Sequence, residues 1–487
     1  MPPSGQCLDI RKMISIIGAI VQNQTGNSSE EDYFMHQKDS TAFNFESAPL
    51  ARTFFRFTLP VVLAGLISVA YNMVDTYFIA LTGNTTLIAG VSLISPVFTL
   101  LIAIGDVWGL GGSSYISRLF GEKKYDQAKK ISSFVYWGSL LFGVLVAVLL
   151  LGFQRPILRL LGASTDTLSY AQSYYFYIAL GAPLMIFPLV PNNTLRAEGF
   201  TTASLFGTII GAIVNIILDP VLIFGLGLGA SGAAIATVVG NASTDLFYLY
   251  YITRKSQRMS IDHRLMKISG RDLLMVLSIG IPGGLTNLMS SFAGTLLNRS
   301  ILPYGTDAIA ALGIANKVNM ITIMVMVGFG FGAQPLIGYA YGAKNRERLS
   351  AVIRFNLLME SVVSLSLMAI IMLFSRPLIR IFIGQEDIIK YGAGMLRILQ
   401  SGMLFQGIVL VITCVFQSIG RGSGALLLSI GRQGVFLYLL IKILSSAFGY
   451  YGVLFSQPVS DILTAALAAL LYLFYSNKDP VMKKKAE

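Results

Sequence analysis

Two carboxylates and two amides define the chemistry open to this chain. Asp75 stands near the far end of the apolar run 54–81, FFRFTLPVVLAGLISVAYNMVDTYFIAL, and Asp219 near the end of a second run, 201–225. Both runs are long enough to cross a bilayer, which takes about 20 apolar residues. An ionisable group inside such a span is costly, and it marks an ion or substrate path. Asn72 precedes Asp75 by three residues and Asn215 precedes Asp219 by four, so each amide shares a helical face with its acid. Pro220 removes a backbone donor and frees a carbonyl near Ile216. Carboxylates, amides and a freed carbonyl make a hard oxygen site suited to a proton or a sodium ion. Two carboxylates held close in a low dielectric resist carrying two charges at once, which favours a proton held between them.

Other ionisable groups fall inside apolar runs. Asp106 lies in GDVWGLGG, whose glycines suggest a hinge or close helix packing, and it is a further candidate for a substrate or ion cavity. Asp245, Lys317, Glu360, Arg432 and Asp461 are expected to form structural ion pairs, because buried charges in bundles pair with one another. Lys442 should snorkel to an interface, and Arg118, Arg155 and Arg159 read as interfacial anchors.

The elements that position these groups are helices in a membrane. Of 487 residues, 54% are hydrophobic and 12% charged. Soluble domains carry about 25% charge. Twelve spans are expected, at about 54–81, 87–117, 131–153, 167–190, 201–225, 231–252, 271–300, 308–340, 351–375, 388–417, 422–446 and 450–475. The net charge of +12 sits in short loops on one side. RLFGEKKYDQAKK carries five Lys/Arg and TRKSQRMSIDHRLMKISGR six, whereas GNTT, GLGLGAS and SAFGYY carry none. That bias follows the positive-inside rule rather than a nucleic-acid footprint, and it places both termini in the cytoplasm of a multi-pass cell (inner) membrane protein. Residues 1–48 read as a polar tail in which Met13–Val21 is too short to span, with Met35 available as an alternative start.

The two halves repeat. Pro60 and Pro282, and Gly83 and Gly305, are 222 apart; Gly121 and Gly342, Arg155 and Arg376, and Gly199 and Gly420 are 221 apart; Gly232 and Gly452 are 220 apart. The expected fold is therefore an all-α membrane protein: twelve transmembrane helices in two six-helix lobes related by a pseudo-two-fold axis along the membrane normal. The lobes would be 49–252 and 271–476, joined by a cytoplasmic linker 253–270 and followed by a basic tail 477–487. The acids break the repeat, since Asp75 shifted by 222 lands on Leu297 and Asp219 shifted by 220 or 221 lands on Leu439 or Leu440. A duplicated frame with an unduplicated acid pair points to a site in the first lobe only. Asp75 lies 19 residues beyond Arg56, or ~28 Å along a helix. That puts it in the outer half, level with Asp219.

Enzymatic readings find no support. His36 and His263 lie outside the apolar runs, and Cys7 and Cys414 are too far apart in sequence to frame a scaffold. No G-x-x-x-x-G-K, H-E-x-x-H, C-x-x-C or G-x-S-x-G occurs. The chain is not expected to be an enzyme or to bind nucleic acid.

Several stretches carry a resemblance: LPVVLAGLISVAYNMVDTYFIAL, SLISPVFTLL followed by GGSSYISRLFGEKKYDQA, NNTLRAEGF, IVNIILDPVLIFGLGLGASGAAIAT, FGAQPLIGYAYGAKN, VFQSIGRG and LSIGRQGVF. In this order and on this repeat, over about 49–476, the chain resembles the multidrug and toxic compound extrusion (MATE) transporters, in the bacterial branch with DinF- and MepA-like proteins. The resemblance implies a V-shaped pair of lobes acting as a monomer in the lipid bilayer. Amphipathic, often cationic small molecules would leave in exchange for protons or sodium ions, with no other cofactor. It assigns coupling, including any Na⁺ site, to Asp75, Asn215 and Asp219, with Asn193 of PNNTLRAEG a weaker match. It also implies that ion binding bends the first helix, for which Pro60 offers a kink point. Another branch's second-lobe acids have no evident match. A related scaffold that flips lipid or lipid-linked oligosaccharide is the alternative. It would need a cationic cavity, for which Lys317 and Arg432 are the mid-depth candidates.

Overall fold

The computed structural model describes residues 48–483. The polar tail up to residue 47, the run Met13–Val21, Met35 and the last four residues lie outside the described residues. Among the described residues the chain is helical throughout, with no strand.

The spans are α1 (Leu50–Leu81), α2 (Thr85–Gly121), α3 (Tyr125–Gly152), α4 (Thr165–Leu180 and Ala182–Glu198), α5 (Thr201–Gly225) and α6 (Gly229–Lys255). They are followed by α7 (Gly270–Tyr304), α8 (Thr306–Gly342), α9 (Arg346–Arg380) and α10 (Glu386–Gln400 and Met403–Ser418). The last helical stretch, Gly422–Lys478, holds two more. By length and apolarity eight described helices qualify as spans, or ten when the bent pairs α4 and α10 each count once. Two further passes complete twelve. Helix α6 carries Asn241, Ser243, Thr244 and Asp245 at its centre, which lowers its hydropathy. Gly422–Lys478 reverses at Gly449, where φ is +55° and ψ −127°. Its limbs, α11 (422–448) and α12 (450–478), lie side by side, since Ser460 on the second donates to the Arg432 carbonyl on the first at 2.5 Å.

The repeat seen in the residues is also written in the backbone. Left-handed φ recurs at Gly83 and Gly305, Lys123 and Lys344, Gly199 and Gly420, and Gly229 and Gly449. The bend of 68° in α4 at Gly181 recurs as 44° in α10 at Gly402. Phe153 and Phe374, 221 apart, both leave the helical region at φ −103°. Two lobes of six helices result.

The lobes meet along α1, α2, α7 and α8, on the side of the basic loops, called inner below. A Cβ on Gly111, Gly280 or Gly284 would strike the carbonyl of Val276, Val107 or Ala103 across the α2–α7 seam. In the α1–α8 seam, Gly332 lies on Thr58 and Gly328 on Val62. Glycine here is a packing requirement, because only a bare Cα lets two backbones approach so closely. The contacts run from the inner ends to about mid-helix. Tyr115 and Gln127 add hydrogen bonds to Asp272 at 2.6 and 2.9 Å.

Two local features of the first lobe take definite form. Helix α1 passes through Pro60 without a break. Of the two readings for the glycines beside Asp106, a hinge or close helix packing, the structure shows close packing: Gly105 and Gly109 bear on Leu189 and Gly112 on Val135, within one continuous helix, Ser95–Gly121.

Candidate functional site

Helices α1 and α5 pack side by side in the first lobe and bring Asp75 and Asp219 face to face. Asp75 lies six residues from the outer end of α1 at Leu81, ~9 Å along the axis. Asp219 sits just before the outer break of α5 and is fully buried. Both oxygens of Asp219 and Oδ1 of Asp75 lack a hydrogen-bond donor. The carboxyls are within hydrogen-bonding reach of each other, and such a bond forms only when one of them carries a proton. Among the described residues neither acid has a cationic partner.

The amides divide. Asn215 lies one turn below Asp219, 3% exposed, with both polar side-chain atoms unpartnered. Gly240 of α6 makes room for it: a Cβ there would sit 3.1 Å from Asn215 Cβ. Asn72, by contrast, is exposed and donates to the Ser68 carbonyl of its own helix at 2.7 Å. Pro220 is followed by a π-turn, in which the Leu226 N–H reaches the Val221 carbonyl at 2.9 Å. Such irregular turns gather at functional sites. The buried Tyr174 of α4 lies within electrostatic reach of both acids, and Tyr71 within reach of Asp75. Neither tyrosine was singled out by its sequence setting, because aromatics are too frequent in this chain to stand out. The resulting oxygen cluster of Asp75, Asp219 and Asn215 can take up a proton or a small hard cation.

Asp106 and Asn193 belong to a separate centre between the lobes. Asp106 accepts from Asn287 of α7 at 2.8 Å and lies within electrostatic reach of Arg196. Asn193 accepts from Arg196 at 2.6 Å and donates to the Leu189 carbonyl at 2.7 Å. It stands five residues from the inner end of α4 at Glu198, toward the opposite membrane face from Asp75. The structure does not bring it to the acid pair.

The ion-pair expectation holds for one pair and fails for two acids. Arg432 and Asp461 pair at 2.6 Å, both largely buried. Asp245, 5% exposed, and Glu360, 1% exposed, have all four carboxyl oxygens unpartnered. Lys317 is exposed. Arg118 is also no interfacial anchor: it is 7% exposed, its guanidinium lies over the Tyr115 ring at 5.1 Å, and a Cβ on Gly420 would meet it. For the Arg432–Asp461 pair, removing one partner strands a buried charge. Arg432→Ala should lower stability by about 3–5 kcal/mol, and the double change Arg432→Met with Asp461→Leu should recover most of it. Thermal unfolding of the two variants in detergent checks this.

Two membrane-embedded lobes joined along glycine seams, with a buried ionisable cluster in the first of them, are the architecture of a two-lobed membrane transporter. The MatE family profile matches residues 60–221 and 282–440, once in each half of the repeat, and the chain belongs to this MATE family of transporters. It is 32% identical over 437 residues to the multidrug export protein MepA of Staphylococcus aureus strain MSSA476, covering 90% of this chain and 96% of that protein. MepA of Staphylococcus haemolyticus strain JCSC1435 is 31% identical over 449 residues, covering 92% and 98%. Among solved structures, a MATE in the straight conformation aligns with a TM-score of 0.85 at 25% identity, covering 90% of this chain and 98% of that one. An outward-facing multidrug resistance MATE transporter of the MOP superfamily aligns at 0.84 and 26%, with the same coverage.

Proposed function

We propose that this chain is a multidrug exporter that expels amphipathic, cationic small molecules across the cell (inner) membrane in exchange for protons or sodium ions, working by alternating access. It acts as a monomer with both termini in the cytoplasm and needs no cofactor beyond the coupling ion. The observation that carries the reading is the facing, unpartnered pair Asp75–Asp219 with the orphaned Asn215 beside it. Buried polar groups ordinarily find partners, so these atoms are best read as an ion site. The multidrug character rests on the relatives named MepA.

The cycle follows from the charge. With one ion bound, the carboxyl pair carries a single negative charge and is bridged by the proton or cation, and α1 and α5 close on each other. When the ion leaves, two like charges face each other in a low dielectric, and α1 is driven from α5. Helix α1 also lines the α8 seam, so its movement bears on the contact between lobes. An ion entering from outside and a drug leaving to outside would thereby compete for one state of the first lobe.

The flippase alternative is weaker, because Arg432, a candidate to hold a diphosphate, is already neutralised by Asp461. Proteoliposomes separate the readings. A fluorescent lipophilic cation should move uphill under an imposed proton or sodium gradient, and whichever gradient drives it names the ion. Uphill movement that survives collapse of both gradients, or flipping of a labelled diphosphate lipid with no cation movement, would overturn the proposal.

A further inference from the structure

The second lobe contains a polar pair on α9 with the same spacing as Asn215 and Asp219. Asn356 is 0% and Glu360 1% exposed, one turn apart on one face. Both side-chain atoms of Asn356 and both carboxyl oxygens of Glu360 lack any hydrogen-bond partner. Glu360 stands 14 residues from the inner end of α9 at Arg346, ~21 Å in, near mid-membrane. Space for its carboxyl is cut from α10. A Cβ on Gly407 would lie 3.0 Å from Glu360 Cγ, 3.3 Å from Oε1 and 2.7 Å from the Ser364 hydroxyl. That hydroxyl donates to the Glu360 carbonyl at 2.6 Å. As with Asp75 and Asp219, the repeat does not copy the acid: 221 residues earlier stands Ser139. The scaffold therefore does not require a carboxyl here.

Among the described residues the surroundings offer Glu360 no counter-charge. From α10 the titratable neighbour is Cys414, fully buried and within electrostatic reach of Glu360 and of Arg196 of α4. From α10 as well, Arg397 is exposed and bonded to Ser375 at 2.7 Å. From α8, Lys317 is exposed, while Asn319 is taken by Gln400 at 3.0 Å. From α1, Arg56 lies near the inner end of the helix. An ionised carboxylate in this place would have neither donor nor cation. A sodium ion would want five or six oxygens, and the cluster supplies Glu360, Asn356 and Ser364 alone. The ligand that suits a buried carboxyl with no cation and no donor is a proton, held on Glu360, with the unpartnered Asn356 one turn away on the same face.

We propose that Glu360, with Asn356, is a second, exchangeable proton-binding site in the C-lobe, whose occupancy changes as the lobes move. Helix α9 packs directly on α8, which forms the lobe seam with α1. Movement at that seam can open the Asn356–Glu360 space to water, and the proton then leaves. The site stands on its own geometry and does not depend on Asp75 being the coupling acid.

The test measures protons released per protein when a lipophilic cation, tetraphenylphosphonium, is added to purified protein in weak buffer, alongside infrared difference spectra of the carboxyl region. Wild type, Glu360→Gln, Asp75→Asn and the double variant are compared. Glu360→Gln should lose about one released proton and one protonated-carboxyl band, in both the wild-type and the Asp75→Asn backgrounds. Asn356→Leu, which keeps the acid but removes its neighbour, should shift that same band in frequency. Unchanged release and an unchanged band in Glu360→Gln would overturn the proposal. So would a band insensitive to Asn356→Leu, should the glutamine variant fail to fold. Failure of the first-lobe assignment would show separately, as full release from Asp75→Asn.

Discussion

Replacing Asp75 with asparagine should abolish uphill drug efflux while leaving the protein folded and drug binding intact. Asp219 has two buried oxygens without a donor, and its facing group is the Asp75 carboxyl. An asparagine amide at 75 would fill the same volume and donate a hydrogen bond to Asp219 permanently. The contact that in wild type needs a proton or sodium ion would then form without one. Helix α1 would rest against α5 whatever the gradient, and the link between ion and drug would be cut. Coupling energies between sites of this kind are about 1–3 kcal/mol, so the steady-state drug gradient should fall by about 5- to 150-fold. Stability should move the other way, rising by about 1 kcal/mol, because an unpartnered buried group gains a partner. Efflux from energised vesicles and thermal unfolding of the purified variant together check both halves. Lost efflux with unchanged or raised stability supports the coupling role. Retained uphill efflux would remove Asp75 from the mechanism.

The acid pair was within reach of the residues alone for a definite reason. Depth along a helix follows from counting, and face follows from the four-residue spacing, so Asp75, Asn215 and Asp219 could be set level without coordinates. The same arithmetic was available for Asn356 and Glu360, and it would have marked them as a pair. What counting cannot supply is the neighbour across the helix gap. Glu360 and Asp245 were expected to meet cations, and among the described residues they meet none; Arg432 and Asp461 do meet. The difference lies in how α9 and α6 are rotated against their neighbours, which depends on small-residue packing such as Gly407 and Gly240 rather than on the acids themselves. Arg118 shows the same limit. At the end of an apolar run it resembles an anchor, yet the close approach of Gly342 to its backbone draws α2 into the lobe seam and buries it. The lobes were legible for the opposite reason. A repeat copies backbone turns along with residues, and left-handed positions such as Gly199 and Gly420 need glycine to avoid strain.

A disulfide across the α1–α8 seam should stop transport completely and reversibly. Gly65 lies halfway along α1, and a Cβ built there would sit 3.5 Å from Met324 Cβ on α8. That is within the range of about 3.5–4.5 Å that a disulfide spans without moving the backbone. The pair Gly65→Cys with Met324→Cys, in a chain with Cys7 and Cys414 replaced by serine, should therefore oxidise readily under mild copper-phenanthroline. The bond ties the two lobes together at mid-helix, at the outer limit of their glycine seam. If export requires the inner ends of α1 and α8 to separate, oxidised protein should carry no drug above background, and dithiothreitol should restore it. A single cysteine at either position should show no such dependence on oxidant. Cross-linking monitored on a gel, alongside efflux before and after reduction, gives the answer. Full cross-linking with undiminished efflux would mean that this seam stays shut throughout the cycle. The lobes would then have to work by movement within each, with α1 bending outward beyond Gly65, in the outer segment that carries Asp75.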